Sequence, residues 1–182
     1  MSLHKLTNRI FYMDHEPELD RPMLVYIKGE KYSLAIDAGY SRSHVNKFYG
    51  LLKAEGLSLP DFTAITHWHY DHTYGMHCTS GCCIAHKKTN EFLREEMNKA
   101  QDAGYVDFMK KEDIHFAREY DGIDEVTIVP AQLEFEDILR LDLGELTAEI
   151  FHTVAPHSED SVCIYIPEEK VLFLGDCFCP DY

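Results

Sequence analysis

The stretch "THWHYDH", residues 66–72, places His67, His69, Asp71 and His72 within six positions, directly after the apolar run "FTAI". Imidazole and carboxylate groups hold zinc and similar divalent ions at about 2.0 to 2.2 Å, and a catalytic site of that kind leaves a coordination position to water. In an extended segment His67 and His69 point to the same side and can share one ion. A following turn can swing Asp71 and His72 toward a neighbouring ion. One loop thus offers two half-sites. A single histidine is usually a structural or surface residue, but this pattern is too dense to arise readily by chance in a chain of this composition.

Such a loop needs a frame. "RIFYM" and "MLVYIKG" predict a strand pair joined by the polar loop "DHEPELDRP", and "EKYSLAID" predicts a third strand. From Ser41 to Glu55 the apolar residues Val45, Phe48, Leu51 and Leu52 recur at helical spacing, with Gly56 placed to stop the helix. "FTAIT" reads as a short buried strand and "CCIAH" as another. "KTNEFLREEMNKA" reads as a helix capped by Thr89 or Asn90. Residues 101–121 read as a helical excursion. The remainder returns to strands, "EVTIVP", "LEFEDILRLD", "ELTAEIFHTV", "SVCIYIP" and "KVLFLGD", with turns at Gly144 and "PEEK". Two strand-rich halves flanked by helices predict an α/β sandwich, two sheets face to face with helices outside, in a single domain over residues 1–182.

Four candidate residues fall just beyond predicted strands: Asp37, His67, His157 and Asp176. In layered α/β proteins, loops leaving the same end of a sheet converge on one cleft. Taken singly, Asp37 in "DAG" and Asp176 in "GD" read as turn residues. Taken with the histidines, they read as further ligands or supports.

Charge narrows the partners. The 182 residues carry 32 acidic and 17 basic side chains, a formal charge of -15. That sign repels phosphate backbones and anionic membrane surfaces, so no nucleic acid and no membrane are expected. The first residues have no apolar signal region and no stretch reaches the ~18 apolar residues of a membrane span, which predicts a cytoplasmic protein. Of six cysteines, Cys82 and Cys83 are adjacent, and all are expected to be reduced.

The pieces "AIDAG" around Asp37, "THWHYDHTYGM" from Thr66 to Met76, "HTVAPHSEDS" around His157 and "VLFLGD" ending in Asp176, in this order, resemble the metallo-β-lactamase-fold hydrolases. The resemblance implies a four-layer αβ/βα sandwich. It implies that His67, His69 and His157 hold one metal, that Asp71 and His72 hold a second, and that Asp176 bridges both. Asp37 then orients the loop without touching metal. The implied cofactors are two divalent ions, zinc before iron or manganese, activating a water for attack on a small-molecule ester, thioester, lactone or amide. Asp71 is the implied catalytic residue, handling the proton.

Two departures qualify the resemblance. Many relatives read H-T-P-G-H where this chain reads "HTVAPH", which leaves His152 as a rival to His157; His152 is expected to be packed or to support the ligands without touching metal. The family also supplies a further histidine on a later loop, whereas this chain ends at Tyr182, six residues past Asp176. The favoured expectation is a C-terminally truncated domain lacking its last helix and strand, with an incomplete second metal site; the alternatives are a partner chain that completes the site, or a second site so incomplete that only one ion binds well. Apolar surface exposed on the C-terminal side then predicts self-association, as a homo-oligomer, or poor solubility. Two other functions stay open: a non-catalytic metal-binding or interaction module, and an iron-dependent oxidative enzyme of the same superfamily.

Cys78, Cys82, Cys83 and His86 lack C-x-x-C pairing and read as packing residues, as do Cys177 and Cys179, although the last two could be redox-sensitive or bind metal opportunistically. Trp68 and Tyr70 read as packed beneath the loop or lining a pocket. "DHEPELDRP" and residues 101–121, with Tyr105, Phe108, Met109 and His115, are candidate substrate walls.

Overall fold

A computed structural model describes residues 2–179. Its first seven strands form one sheet in chain order: β1 (Leu3–Lys5), β2 (Ile10–Met13), β3 (Leu24–Lys28), β4 (Ser33–Ile36), β5 (Phe62–Ala64), β6 (Cys82–His86) and β7 (Leu133–Phe135). The first four are antiparallel. From β4 to β7 the strands run parallel, and parallel neighbours need crossover connections. These are α1 (Arg42–Ala54), the four-residue α2 (Tyr70–Thr73) with a 3₁₀ turn, and α3 (Lys87–Lys99), α4 (Tyr105–Glu112) and α5 (Ile114–Glu119). A second, antiparallel sheet follows, ordered β11 (Val171–Phe173), β10 (Val162–Ile166), β9 (Thr147–His152), β8 (Ile138–Asp142).

Strand alternation decides what each sheet buries. Ile84 faces the layer between the sheets, whereas its neighbours Cys83 and Ala85 face the helices. Val25, Ile27, Leu34 and Ile36 meet Ala148, Ile150, Val162 and Ile164 between the sheets. Phe48 and Leu52 of α1 cover Tyr26 and Ala35 on the opposite face of the large sheet. The described residues thus form an α/β sandwich of helices, large sheet and small sheet. None of the five helices packs on the outer face of the small sheet, where Ile138 and Leu172 are half exposed. The apolar exposure expected on that side is present, but β11 is an edge strand among the described residues and not a central one.

Three other expectations are corrected. "EVTIVP" is irregular, although Ile128 is buried against the helices. "LEFEDILRLD" breaks at residues 136 and 137, so that Leu133–Phe135 joins the large sheet and Ile138–Asp142 the small one. The cap of α3 is His86, whose Nδ1 accepts from the Lys88 amide at 3.3 Å; Thr89 and Asn90 are buried inside the helix and bond other elements.

The turn between β4 and α1 bears directly on the site. Asp37 and Gly39 both take left-handed backbone (φ 62° and 70°), a conformation Asp tolerates better than most residues and Gly freely. His44 sits under this turn, fully buried, its Nδ1 accepting from the Tyr40 amide at 3.3 Å, while the Ser41 hydroxyl caps α1. Burial, then the charges of Arg21 and Lys47, push the His44 imidazole down to about 3. Its folded pKa lies below its unfolded value, so its contribution is complete above pH ~6.5 and is lost as pH falls from there toward 3. Urea midpoints should therefore decline across that window, and His44→Gln should give a shallower decline from a lower starting stability.

Candidate metal centre

Chain direction explains why the candidate residues meet. Asp37 follows β4 and Thr66 follows β5, adjacent parallel strands whose carboxyl ends open on the same edge. His157 lies in the loop between β9 and β10, and Asp176 lies just past β11. The Val162 amide donates to the Thr66 carbonyl at 2.7 Å, which ties the small sheet to the large one beside the cluster. Gly175 (φ 53°) makes the other close approach: a Cβ there would lie 2.8 Å from the Thr66 Cβ.

His67, His69 and His157 come together. The Nε2 of His157 lies 3.1 Å from His67 Nε2 and 3.0 Å from His69 Nδ1. Three nitrogens at about 2.0 Å from a tetrahedral ion stand roughly 3.3 Å apart, so this set can close on a divalent ion with little movement. All three imidazoles are held below their ordinary range, in each case chiefly by burial, with the neighbouring imidazoles adding to it at His67 and His69. Neutral imidazole is the form that binds metal.

Beside them lies a second group. His72 Nε2 is buried without an aligned hydrogen bond, and faces Asp71 Oδ2 at 3.1 Å and Asp176 Oδ2 at 3.5 Å. Asp176 Oδ2 is also 3.9 Å from His157 Nε2, so its carboxylate stands between the two groups. His67 does too, since its ring nitrogen can join either set. Burial opposes charge on His72, but Asp71 and Asp37 outweigh it and hold the imidazole well above its ordinary range. The close polar approach and charge of His72 in turn hold the Asp176 carboxyl low.

Asp37 touches no other candidate ligand than His72, yet it orients two of them. Its carboxylate accepts from the Thr66 amide (2.8 Å), the Thr66 hydroxyl (2.9 Å) and His72 Nδ1 (2.8 Å). With its proton committed to Asp37, the Thr66 Oγ1 accepts from His67 Nδ1 at 3.1 Å. His67 and His72 are both left with Nε2 facing the cluster. Sequence reasoning missed Thr66, and also Asp160, a fully buried carboxylate that accepts from Thr89 on α3 and from Ser158 in the His157 loop. Only the crowding of polar residues in "HSEDS" hints at it. His152 stacks on His86 at 4.0 Å and bonds the Glu159 carbonyl, outside the cluster. Among the described residues, Cys78, Cys82, Cys83 and His86 form no metal-holding group.

Two cavities flank the centre. One, of about 260 Å³, reaches His72 and Asp176 between Pro22, Met23 and Leu174. The other, of about 540 Å³, is lined by Trp68 and Tyr70 from the histidine loop and by Tyr105, Phe108 and Met109 from α4. His115 lies elsewhere, against the Glu18 carbonyl.

No protein-family model and no curated protein matches the sequence. Solved structures do match. A HARLDQ-motif mutant metallo-β-lactamase from Cronobacter sakazakii superposes with a TM-score of 0.64 at 19% identity, over 91% of this chain and 59% of that one. The metallo-β-lactamase DIM-1 exposed to ceftazidime gives 0.62 at 20%, over 95% and 68%. A double mutant of the sec-alkyl sulfatase PisA1 gives 0.72 at 14%, over 96% and 31%. The chain has the metallo-β-lactamase fold. It spans about three fifths of the length of the Cronobacter protein. A metallo-β-lactamase fold with these imidazoles and carboxylates at one edge can hold a divalent metal.

Asp37→Asn should keep the fold but weaken metal affinity by about 10- to 100-fold, as loss of an orienting partner does; titration calorimetry measures it. Because neighbouring carboxylates hold the metal-free His72 well above its ordinary range, loading its group should release a proton and strengthen as pH rises. Calorimetry in two buffers of different ionisation enthalpy checks that release.

Proposed function

We propose that the protein is a metal-dependent hydrolase, binuclear with zinc when complete, acting on a small ester, thioester, lactone or amide. The observation that carries this reading is the convergence of His67 and His69 on His157, whose Nε2 lies 3.1 Å from one and 3.0 Å from the other, with Asp71, His72 and Asp176 at their side. When bound, the ions would supply hydroxide near neutral pH and polarise the oxygen under attack. In this reading His67, His69 and His157 hold one ion, Asp71 and His72 hold the other, and Asp176 is shared.

The remaining steps belong to side chains. Asp37 fixes the His72 tautomer and, through Thr66, that of His67, so that each presents Nε2. Asp71, partly exposed beside His72, is positioned to take up the proton released on attack and pass it to the leaving group. Trp68, Phe108 and Met109 offer an apolar wall that would hold the organic part of the substrate and keep water from it. Tyr70 is braced for that wall by its hydrogen bond to Asp113 at 2.7 Å.

The test is a panel of esters, thioesters, lactones and amides offered to the metal-loaded, full-length protein. His69→Ala should reduce turnover by at least about 10³-fold while leaving the metal-free melting temperature within a few degrees of wild type. Turnover that survives in His69→Ala, or a wild type inert across the whole panel with zinc, manganese or iron supplied, would sink the proposal. Phe108→Ala should raise KM more than it lowers kcat, since the wall binds ground and transition states alike.

A further inference from the structure

The larger cavity beside the metal centre has walls that are fixed before anything enters. Trp68 stands with its indole edge-on to the His69 imidazole, ring centres 4.9 Å apart, and also meets Phe92 of α3 at 5.6 Å. Tyr70 stacks on Tyr40 at 5.3 Å and donates its hydroxyl to Asp113. Tyr105 is buried, and its hydroxyl donates to Glu96 Oε2 at 2.9 Å while accepting from the Tyr74 hydroxyl at 2.5 Å. The other Glu96 oxygen accepts from the Lys99 ammonium at 2.5 Å, and the Asp102 carboxylate accepts from the Gly104 amide at 2.7 Å. Every charged or hydroxyl group that lines this cavity thus already has a partner within the protein.

We infer that the cavity takes an uncharged aryl group. In the hydrolase reading, on which its assignment to a substrate rests, that group is carried on one side of the scissile bond, next to the candidate ligand His69 that Trp68 touches. A charged group entering here would surrender its water and find no unpaired partner. A hydrocarbon chain would find apolar contact but freeze its rotatable bonds, whereas a ring has few to lose. The walls supplied by Trp68, Tyr70, Tyr105 and Phe108 favour another ring further, because offset and edge-to-face contacts between aromatic rings return more than their buried area alone. At about 540 Å³ the cavity has room for one ring or a fused pair.

Trp68 is the only tryptophan of the chain, so its emission reports on this cavity without metal or turnover. Titration of the metal-free, full-length protein with 2-phenylethanol should change that emission saturably. Protonated 2-phenylethylamine and phenylacetate, the same ring bearing a charge, should bind at least about tenfold more weakly. Octan-1-ol, with the same number of carbons and no ring, should bind no more tightly. Phe108 is 57% exposed and can be replaced without disturbing the core; Phe108→Leu should weaken 2-phenylethanol by about threefold or more and spare octan-1-ol. Tighter binding of the amine, the acid or octan-1-ol, or no saturable change with 2-phenylethanol, would overturn the aryl assignment whether or not the protein is a hydrolase. The metal-loaded protein separates the two readings. An inert substrate panel beside saturable 2-phenylethanol binding removes the hydrolase and leaves the aryl cavity, whereas octanoyl esters cleaved as fast as phenylacetyl esters remove the aryl substrate and leave the hydrolase.

Discussion

The Asp37 carboxylate is the interaction on which the rest depends. It is 5% exposed, and a carboxylate so far out of water is tolerated only with its oxygens satisfied and its charge balanced. Three hydrogen bonds satisfy the oxygens, and the counter-charge comes from His72, whose imidazole the carboxylates hold well above its ordinary range. A cation bound at His72 Nε2 would replace that proton with a larger positive charge at the same place. Asp37 would therefore keep a counter-charge at the same place both before and after loading. The left-handed backbone at Asp37, worth about 1 kcal/mol or more of strain, is what aims the carboxylate at both Thr66 and His72.

From that hub the two sheets are held in register. Thr66 bonds Asp37 with its amide and hydroxyl, meets His67 with its hydroxyl oxygen, passes its carbonyl to the Val162 amide and leaves no room for a side chain at Gly175. A movement of the small sheet would thus shift His157 and Asp176 relative to His67 and His72. Close packing of aliphatic side chains between the sheets resists such movement far better than loops could, because interiors transmit displacement rather than absorb it. Asp160 repeats the device on the other side, a buried carboxylate joining α3 to the His157 loop.

What the sequence made legible follows range. The histidine loop could be read because its candidate ligands are separated by one or two residues, and local geometry alone brings them together. The convergence of Asp37 and Asp176 could be expected from strand ends, but the Thr66 bridge could not, since a threonine beside a histidine has no special pattern. "LEFEDILRLD" misled because its alternation continues across Asp137 while the chain changes sheets, and alternation does not encode which sheet a strand joins. "EVTIVP" has the β-branched composition of a strand and the burial of one at Ile128, yet no neighbouring edge pairs with it. Thr89 and Asn90 looked like caps because their side chains bond backbone readily. In the fold Thr89 donates instead to Asp160, while Asn90 reaches Ala131 and Glu134, a choice made by tertiary contacts.

Local charge bears on substrate class differently from total charge. A formal charge of -15 acts over roughly a Debye length of 8 to 10 Å and discourages polyanions from approaching. Inside the centre the count is separate. Asp37, Asp71 and Asp176 contribute three negative charges, and two divalent ions would add four positive ones, which leaves the pocket attractive to a carboxylate or sulfate group. The wall of Trp68, Phe108 and Met109 next to the centre is apolar, so it adds no countercharge of its own, and an anionic group must recover its lost hydration from the loaded ions alone, because binding an anion from water costs that hydration.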